Sequence, residues 1–186
     1  CSRKAIEAAL GPGEGELRYP GTCRDAAVDG ARERARRVRM EREAISFRDL
    51  RLGAIEQVPS DQAGDVLVRD RHGHWTYQFA VVVDDLDQGV DLVIRGEDLL
   101  ASTGRQIRLA GLLGRKAAPL FLHHPLILRP DGRKLSKSNR DTGIRELRAA
   151  GWSVERVLGE AAAALGLTRG EPASMAELVR RLKEGA

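Results

Sequence analysis

Apolar and polar positions along the chain fall into distinct patterns, and each predicts an element. CSRKAIEAAL has helical spacing before the GPGEGE break and the RYPGTCRD segment. Residues 24–45 are dense in charges of both signs, which predicts a solvated helix laced by pairs three or four apart. Between 46 and 77, FRDLRLG and DVLVRD cluster β-formers between turn residues, and RHGHW reads as a turn. QFAVVVDD is a continuous apolar run ending in acids, the pattern of a strand buried on both faces. VDLVIRGEDLL predicts a second strand. Thr103 with Gln106 has capping-box spacing, ahead of a helix closed by Gly114. PLFLHHPLIL gives a further short strand. From 139 onward the spacing is helical, with Ser153 and Ser174 at helix starts and Gly166 at an end.

This order predicts an α/β protein in three parts: 1–76 with a small β-rich portion, 77–138 as an α/β unit, and 139–186 as a helical region. Composition changes the picture only a little. The 186 residues are 42% hydrophobic, enough for a packed core, and the net charge is +4. The pI near 9.4 is compatible with a polyanionic partner without requiring one. No apolar run approaches the ~20 residues of a membrane span, and no secretory signal is visible. Two cysteines, Cys1 and Cys23, are too few for a disulfide-stapled fold and fit a reducing compartment, so a cytoplasmic location is expected.

Three groups of residues carry candidate chemistry. Arg95 ends an expected strand, where open α/β sheets bind ligands, and a guanidinium there can clamp a carboxylate through two parallel hydrogen bonds. From position alone it serves as readily in a surface ion pair. Tyr77 precedes the apolar run and can offer a hydroxyl to a polar ligand or simply cap a sheet. In RPDGRKLSKSNRD, residues 129–141, Gly132 lets the loop bend. Lys134 and Lys137 can follow charge that develops on a phosphate, with Ser136 as a hydroxyl donor. A solvated basic turn has the same composition. Cys1, Tyr19 and Cys23 raise the question of zinc, although two thiolates so far apart make an incomplete four-coordinate set by themselves.

Taken in order, YQFAVVVDD, VIRGEDLL, the STGRQ helix start and RPDGRKLSKS resemble the second half of the catalytic domain of class I glutamyl-type aminoacyl-tRNA synthetases. KLSKS is close to the KMSKS signature of that class. YPGTCRD is similar to the tyrosine-and-cysteine portion of the zinc site in the glutamyl-queuosine tRNA(Asp) synthetase family. That resemblance implies the C-terminal part of a Rossmann-type catalytic domain ending at the KLSKS loop, a zinc-containing α+β insert and a helical C-terminal tail. It implies ATP-dependent activation of glutamate with Mg2+, then transfer to queuosine in the anticodon of tRNA(Asp). Arg95 and Tyr77 would bind glutamate. Lys137, Lys134 and Ser136 would bind ATP, the two lysines stabilising the phosphates during the reaction. Cys1, Tyr19 and Cys23 would hold a structural Zn2+ with a fourth ligand upstream.

The chain lacks an initiator Met, so a fragment is expected, with a HIGH-like element upstream and no activity in these residues alone. A monomer is expected. Only 48 residues follow Ser138, so unless the chain is also cut at its C-terminus the anticodon-binding region of a discriminating glutamyl-tRNA synthetase is not expected. A fragment of such an enzyme, charging tRNA(Glu), is the alternative. A non-catalytic RNA-binding module with steep salt dependence is a second one. Gly104 stands where the family usually has proline, with Arg105 and Gln106 kept beside it. RGED is closer to the glutamyl-tRNA synthetase form.

Overall fold

A computed structural model describes residues 3–10, 17–25, 34–126, 128 and 143–184. It divides into two units, Cys1–His124 and Pro125–Ala186.

In the first unit, helix α1 (Arg3–Leu10) is followed by the strands β1 (Arg36–Val38), β2 (Ile45–Asp49) and β3 (Gly53–Gln57). Helix α2 (Pro59–Ala63), strand β4 (Val66–Arg69) and helix α3 (Tyr77–Asp87) come next. Strand β5 (Leu92–Gly96) runs into a 3-10 turn (Glu97–Ser102), helix α4 (Thr103–Leu112) and strand β6 (Leu120–His124). β1 and β4 form an antiparallel ribbon, and a second, mixed sheet has the order β3-β2-β6-β5. In it β2 and β5 both run parallel to β6, while β3 is antiparallel to β2. β5, α4 and β6 thus form a strand–helix–strand crossover. The sheet takes β2 and β3 from the near side of residue 76 and β5 and β6 from the far side.

Two expectations are corrected. The charged 24–45 stretch is not a helix over its described part: residues 36–38 are a strand. From Arg37 onward the alternation is twofold, with Val38 and Met40 turned to the core and Arg39 between them exposed, after a register shift between Arg36 and Arg37. Arg37 stacks over the Tyr19 ring, 4.2 Å to the centroid, and donates to the Asp65 carbonyl at 2.8 Å. The apolar run YQFAVVVDD is helix α3 and not a strand. Phe79, Val82 and Leu86 lie three and four residues apart and face the core, while Val83 points outward. A short apolar run has no periodicity that separates a buried strand from a helix. The helix wins here because its one apolar face packs on α4 and the β1–β4 ribbon. The core holds Met40, Val66, Val68, Val82, Leu109 and Ala110.

Gly64 permits one close approach in this unit. Its φ is +65°, and a Cβ there would run into the Tyr19 carbonyl. Tyr19 N donates to the Ala63 carbonyl at 2.9 Å, so the YPGTC turn is pinned beside α2.

The second unit has the helices α5 (Ile144–Ala149), α6 (Val154–Ala164) and α7 (Met175–Glu184), as the spacing predicted. Ser153 caps α6 by accepting from Arg156 N at 3.2 Å, and Gly166 follows its end at φ +74°. Leu158, Ala162, Leu167, Ala173 and Leu178 form a small core. Gly159 lets the Glu171 carbonyl and Pro172 lie directly on α6, where any Cβ would collide. Among the described residues, no helix is long and apolar enough to cross a membrane.

Candidate active site

The parallel register sets a row of polar residues across three adjacent strands. Arg95 on β5 is opposite His123 on β6, and Asp49 on β2 is opposite Phe121. Period-two alternation then buries Phe47 and Asp49 on one strand and Phe121 and His123 on the next. Phe47 and Phe121 meet edge to face at 5.5 Å. Beyond them, Asp49 and His123 are fully enclosed. All three polar residues lie toward the C-terminal ends of parallel strands, where such sheets place ligands.

Asp49 is satisfied four times. Its Oδ1 accepts from Arg51 N at 2.9 Å and Leu52 N at 2.8 Å. Its Oδ2 accepts from His123 N at 3.0 Å and faces His123 Nδ1 at 2.6 Å. Burial alone would raise the carboxyl pKa, but hydrogen bonds from His123, Leu52 and Arg51 hold it at about 2. His123 Nδ1 therefore points its proton at Asp49. Its Nε2 accepts from Arg95 Nε at 3.0 Å and lies 3.2 Å from Thr103 Oγ1.

Arg95 donates further to Gln106 Oε1 at 2.5 Å and to Thr103 Oγ1 at 2.7 Å. All three acceptors are neutral. A guanidinium carries five N–H donors, so among the described residues one on each terminal nitrogen is left over. No carboxylate of the described residues forms an ion pair with Arg95. Burial lowers its pKa, while Tyr77 and Asp85 raise it and Arg105 lowers it. Asp85 is itself raised by burial against the opposing pull of Arg115 and Arg95. Tyr77, the first residue of α3, is exposed and sits within electrostatic reach of Arg95. The structure thus brings Tyr77 and Arg95 to one place, with a half-buried cation able to receive an anion.

The start of α4 corrects another expectation. Thr103 and Gln106 do not make a capping box: α4 has no side-chain cap, and both side chains accept from Arg95 instead. Gln106 Nε2 also donates to Gln78 Oε1 at 2.7 Å, and Gln78 Nε2 to Ser102 Oγ at 3.0 Å, which ties α3 to α4. Gly104 uses its backbone N–H, which a proline would lack. It donates to Gln57 Oε1 at 2.9 Å, and Gln57 Nε2 donates to the Leu100 carbonyl at 2.9 Å. A Cβ on Gly104 would sit 2.9 Å from that Gln57 oxygen.

Lys134, Ser136, Lys137 and Cys1 lie outside the described residues. Tyr19 and Cys23 share one turn, in which Cys23 N donates to the Tyr19 hydroxyl at 2.9 Å. Cys23 is exposed. Among the described residues no group of three or more His, Cys, Asp or Glu side chains could hold a metal ion. Tyr19 and Cys23 by themselves make at most two donors, and a zinc site would need its other ligands from elsewhere.

Sequence reasoning proposed Arg95 and Tyr77 and did not single out Asp49, the role of His123, or Thr103 and Gln106 as acceptors. One signal was present: in FRD and FLH, the polar residue sits two positions after a core phenylalanine, on the same inward face.

Residues 21–181 match the family of class I tRNA synthetases (E and Q), catalytic domain. The chain belongs to this family. It is 43% identical over 174 residues to a glutamyl-Q tRNA(Asp) synthetase of Verminephrobacter eiseniae, covering 90% of this chain and 58% of the relative. It is 44% identical over 180 residues to that of Leptothrix cholodnii, with the same coverage. The chain therefore spans little more than half the length of these relatives. A solved glutamate tRNA ligase from Elizabethkingia meningosepticum, in complex with its amino acid, is 26% identical with a TM-score of 0.60. That match covers 77% of this chain and 32% of the ligase. Arg95, His123 and α4 thus lie in a mixed α/β sheet domain of the synthetase catalytic type.

Proposed function

We propose that this chain is part of an enzyme that activates glutamate with ATP and transfers the glutamyl group to queuosine in the anticodon of tRNA(Asp). The observation that carries this reading is Arg95, a half-buried cation held by three neutral acceptors at the C-terminal end of a parallel strand. A site built this way favours a carboxylate ligand, because a fork of N–H groups on a cation with no ion-paired acid among the described residues faces it. Tyr77 adds a hydroxyl at the same place. The identity to the two glutamyl-Q tRNA(Asp) synthetases supports glutamate as the acid and queuosine as the acceptor.

In this reading Arg95 holds a glutamate carboxylate while an α-carboxylate oxygen attacks the α-phosphate of Mg2+-bound ATP, with pyrophosphate leaving. A queuosine hydroxyl then attacks the acyl carbon and AMP leaves. No side chain is acylated; the residues position the reactants and stabilise charge. Lys137, assisted by Lys134 and Ser136, would meet the charge developing on the phosphates. Cys1, Tyr19 and Cys23 would hold a structural zinc that ties down the YPGTC turn. When bound, such a metal supplies a cross-link and not reaction chemistry.

The decisive experiment uses the full-length protein. Glutamate-dependent ATP–pyrophosphate exchange should occur, and labelled glutamate should pass to tRNA(Asp) bearing queuosine and not to the same tRNA without it. Charging of tRNA(Glu) would support the glutamyl-tRNA synthetase alternative, which the ligase neighbours favour. Absence of any exchange would sink both. Lys137→Ala should remove most exchange while glutamate binding, read by calorimetry, survives.

A further inference from the structure

Asp49 and His123 do no chemistry in the reaction above, yet both are fully enclosed and both are fixed by more than one hydrogen bond. A buried carboxylate is costly to desolvate, and an apolar pair would fill the same space. What the pair adds is direction. Asp49 is locked by two backbone N–H groups in the turn after β2. It holds the His123 ring by Nδ1, at 2.6 Å. That bond commits Nε2 to acting as an acceptor, and the group it accepts from is Arg95 Nε. Arg51 reinforces the strand end by donating to the His123 carbonyl at 2.5 Å and to Glu97 at 2.5 Å.

We infer that Asp49 and His123 are positioning residues for glutamate. The Asp49–His123 pair fixes the plane of the Arg95 guanidinium, with Gln106 and Thr103 as side stops, so that its remaining N–H groups face the substrate carboxylate. This inference rests on the functional reading above. Its chemistry follows from donor and acceptor counting. If the proton moved to Nε2, two N–H groups would confront each other 3.0 Å apart, and Arg95 would have to swing out of plane. Misalignment of a bidentate clamp weakens binding of the planar carboxylate while ATP contacts are left alone.

Two substitutions separate aiming from mere packing. The amide of asparagine overlays Nδ1, so His123→Asn keeps a donor for Asp49 and loses the acceptor for Arg95. The amide of glutamine reaches Nε2, so His123→Gln keeps the acceptor while giving up the Nδ1 bond to Asp49, and it tests the acceptor toward Arg95 by itself. In glutamate-dependent exchange by the full-length protein, His123→Asn should raise the glutamate KM about tenfold with the ATP KM unchanged. His123→Gln should return it to within about threefold of wild type. Equal losses in both variants, or a parallel rise in the ATP KM, would overturn the inference.

A second arm needs no variant. In nitrogen-15 spectra of the wild-type protein, His123 Nε2 should be unprotonated and coupled through a hydrogen bond to Arg95 Nε–H. A protonated Nε2 overturns the inference whether or not the Asn variant folds. A wild-type protein without exchange activity would count against the proposed function. The nitrogen-15 spectra would then decide the Asp49–His123–Arg95 alignment by themselves.

Discussion

Two carboxylates in this protein, Asp49 and Glu177, are both held at a pKa of about 2, and the reasons are opposite. Glu177 lies on α7 and takes hydrogen bonds from Arg180 at 2.8 Å and Arg181 at 2.8 Å. Those arginines also bond Glu184 and Glu171, so two guanidiniums share three carboxylates at the surface. Asp49 has no guanidinium: its partners are three backbone N–H groups and an imidazole, inside the sheet. The guanidinium in its neighbourhood, Arg95, is kept for neutral acceptors. Where charges meet directly at the surface they neutralise each other and water screens what is left. Where a neutral ring separates a buried anion from a half-buried cation, the cation stays available. The difference teaches that an arginine poised for a ligand is recognised by hydrogen bonds to neutral acceptors and by the lack of an ion-paired acid, Asp85 acting on Arg95 only through space.

Four outcomes would break or sharpen that contrast. The largest is expected from Arg95→Ala in the full-length protein, which should raise the glutamate KM about 100-fold in pyrophosphate exchange without a matching change for ATP. Arg95→Lys should recover little, because an ammonium cannot bond His123, Gln106 and Thr103 at once and still offer a fork. A lysine variant of full activity would show that charge alone suffices.

Next comes Asp49→Asn. Whichever way the amide turns, its NH2 confronts N–H donors that now bond the carboxylate. The cost should be about 3 kcal/mol, read as a shift in the urea midpoint at constant slope. A shift below a quarter of that would mean the site relaxes, and that Asp49 is less rigid than its bonds indicate.

Acid should then separate the two carboxylates. The folded pKa of Asp49 lies below its unfolded value, so the stability it lends is complete above about pH 4 and is lost as pH falls toward 2. That loss amounts to roughly 2 kcal/mol and should be nearly the same in low and high salt, because the group is enclosed. The Glu177 pKa, followed by carbon-13 titration, should drift back toward the ordinary carboxylate range in high salt. Equal salt sensitivity of both groups would contradict the contrast.

The smallest effect is expected from Glu177→Gln. It should leave the thermal midpoint almost unmoved, since Arg180 and Arg181 keep Glu184 and Glu171 as partners. A large drop would make the α7 cluster a structural element in its own right.

Much of this could be read before the structure was known. Arg95 was placed at a strand end from VIRG, and the three C-terminal helices followed from their spacing, with serines at the starts of α6 and α7. The chain order of VIRGED, STGRQ and KLSKS carried the family resemblance. The failures have physical causes. QFAVVVDD became a helix because its surroundings offered a one-sided apolar surface, which the residues of the run do not encode. Thr103 and Gln106 have the spacing of a local cap, but Arg95 competes for the same oxygens and wins in the folded state, where burial makes an unbonded guanidinium costly.

The sequence by itself determined the local facts: which stretches form helices after residue 143, and that an arginine lies near the end of β5. Only the tertiary structure decided that Asp49, His123 and Arg95 form one row. Asp49 and His123 are 74 positions apart. Their contact exists because β2 and β5 flank β6 in parallel, and parallel pairing is non-local: its register is set by the whole sheet and its packing, and leaves no trace in any single segment.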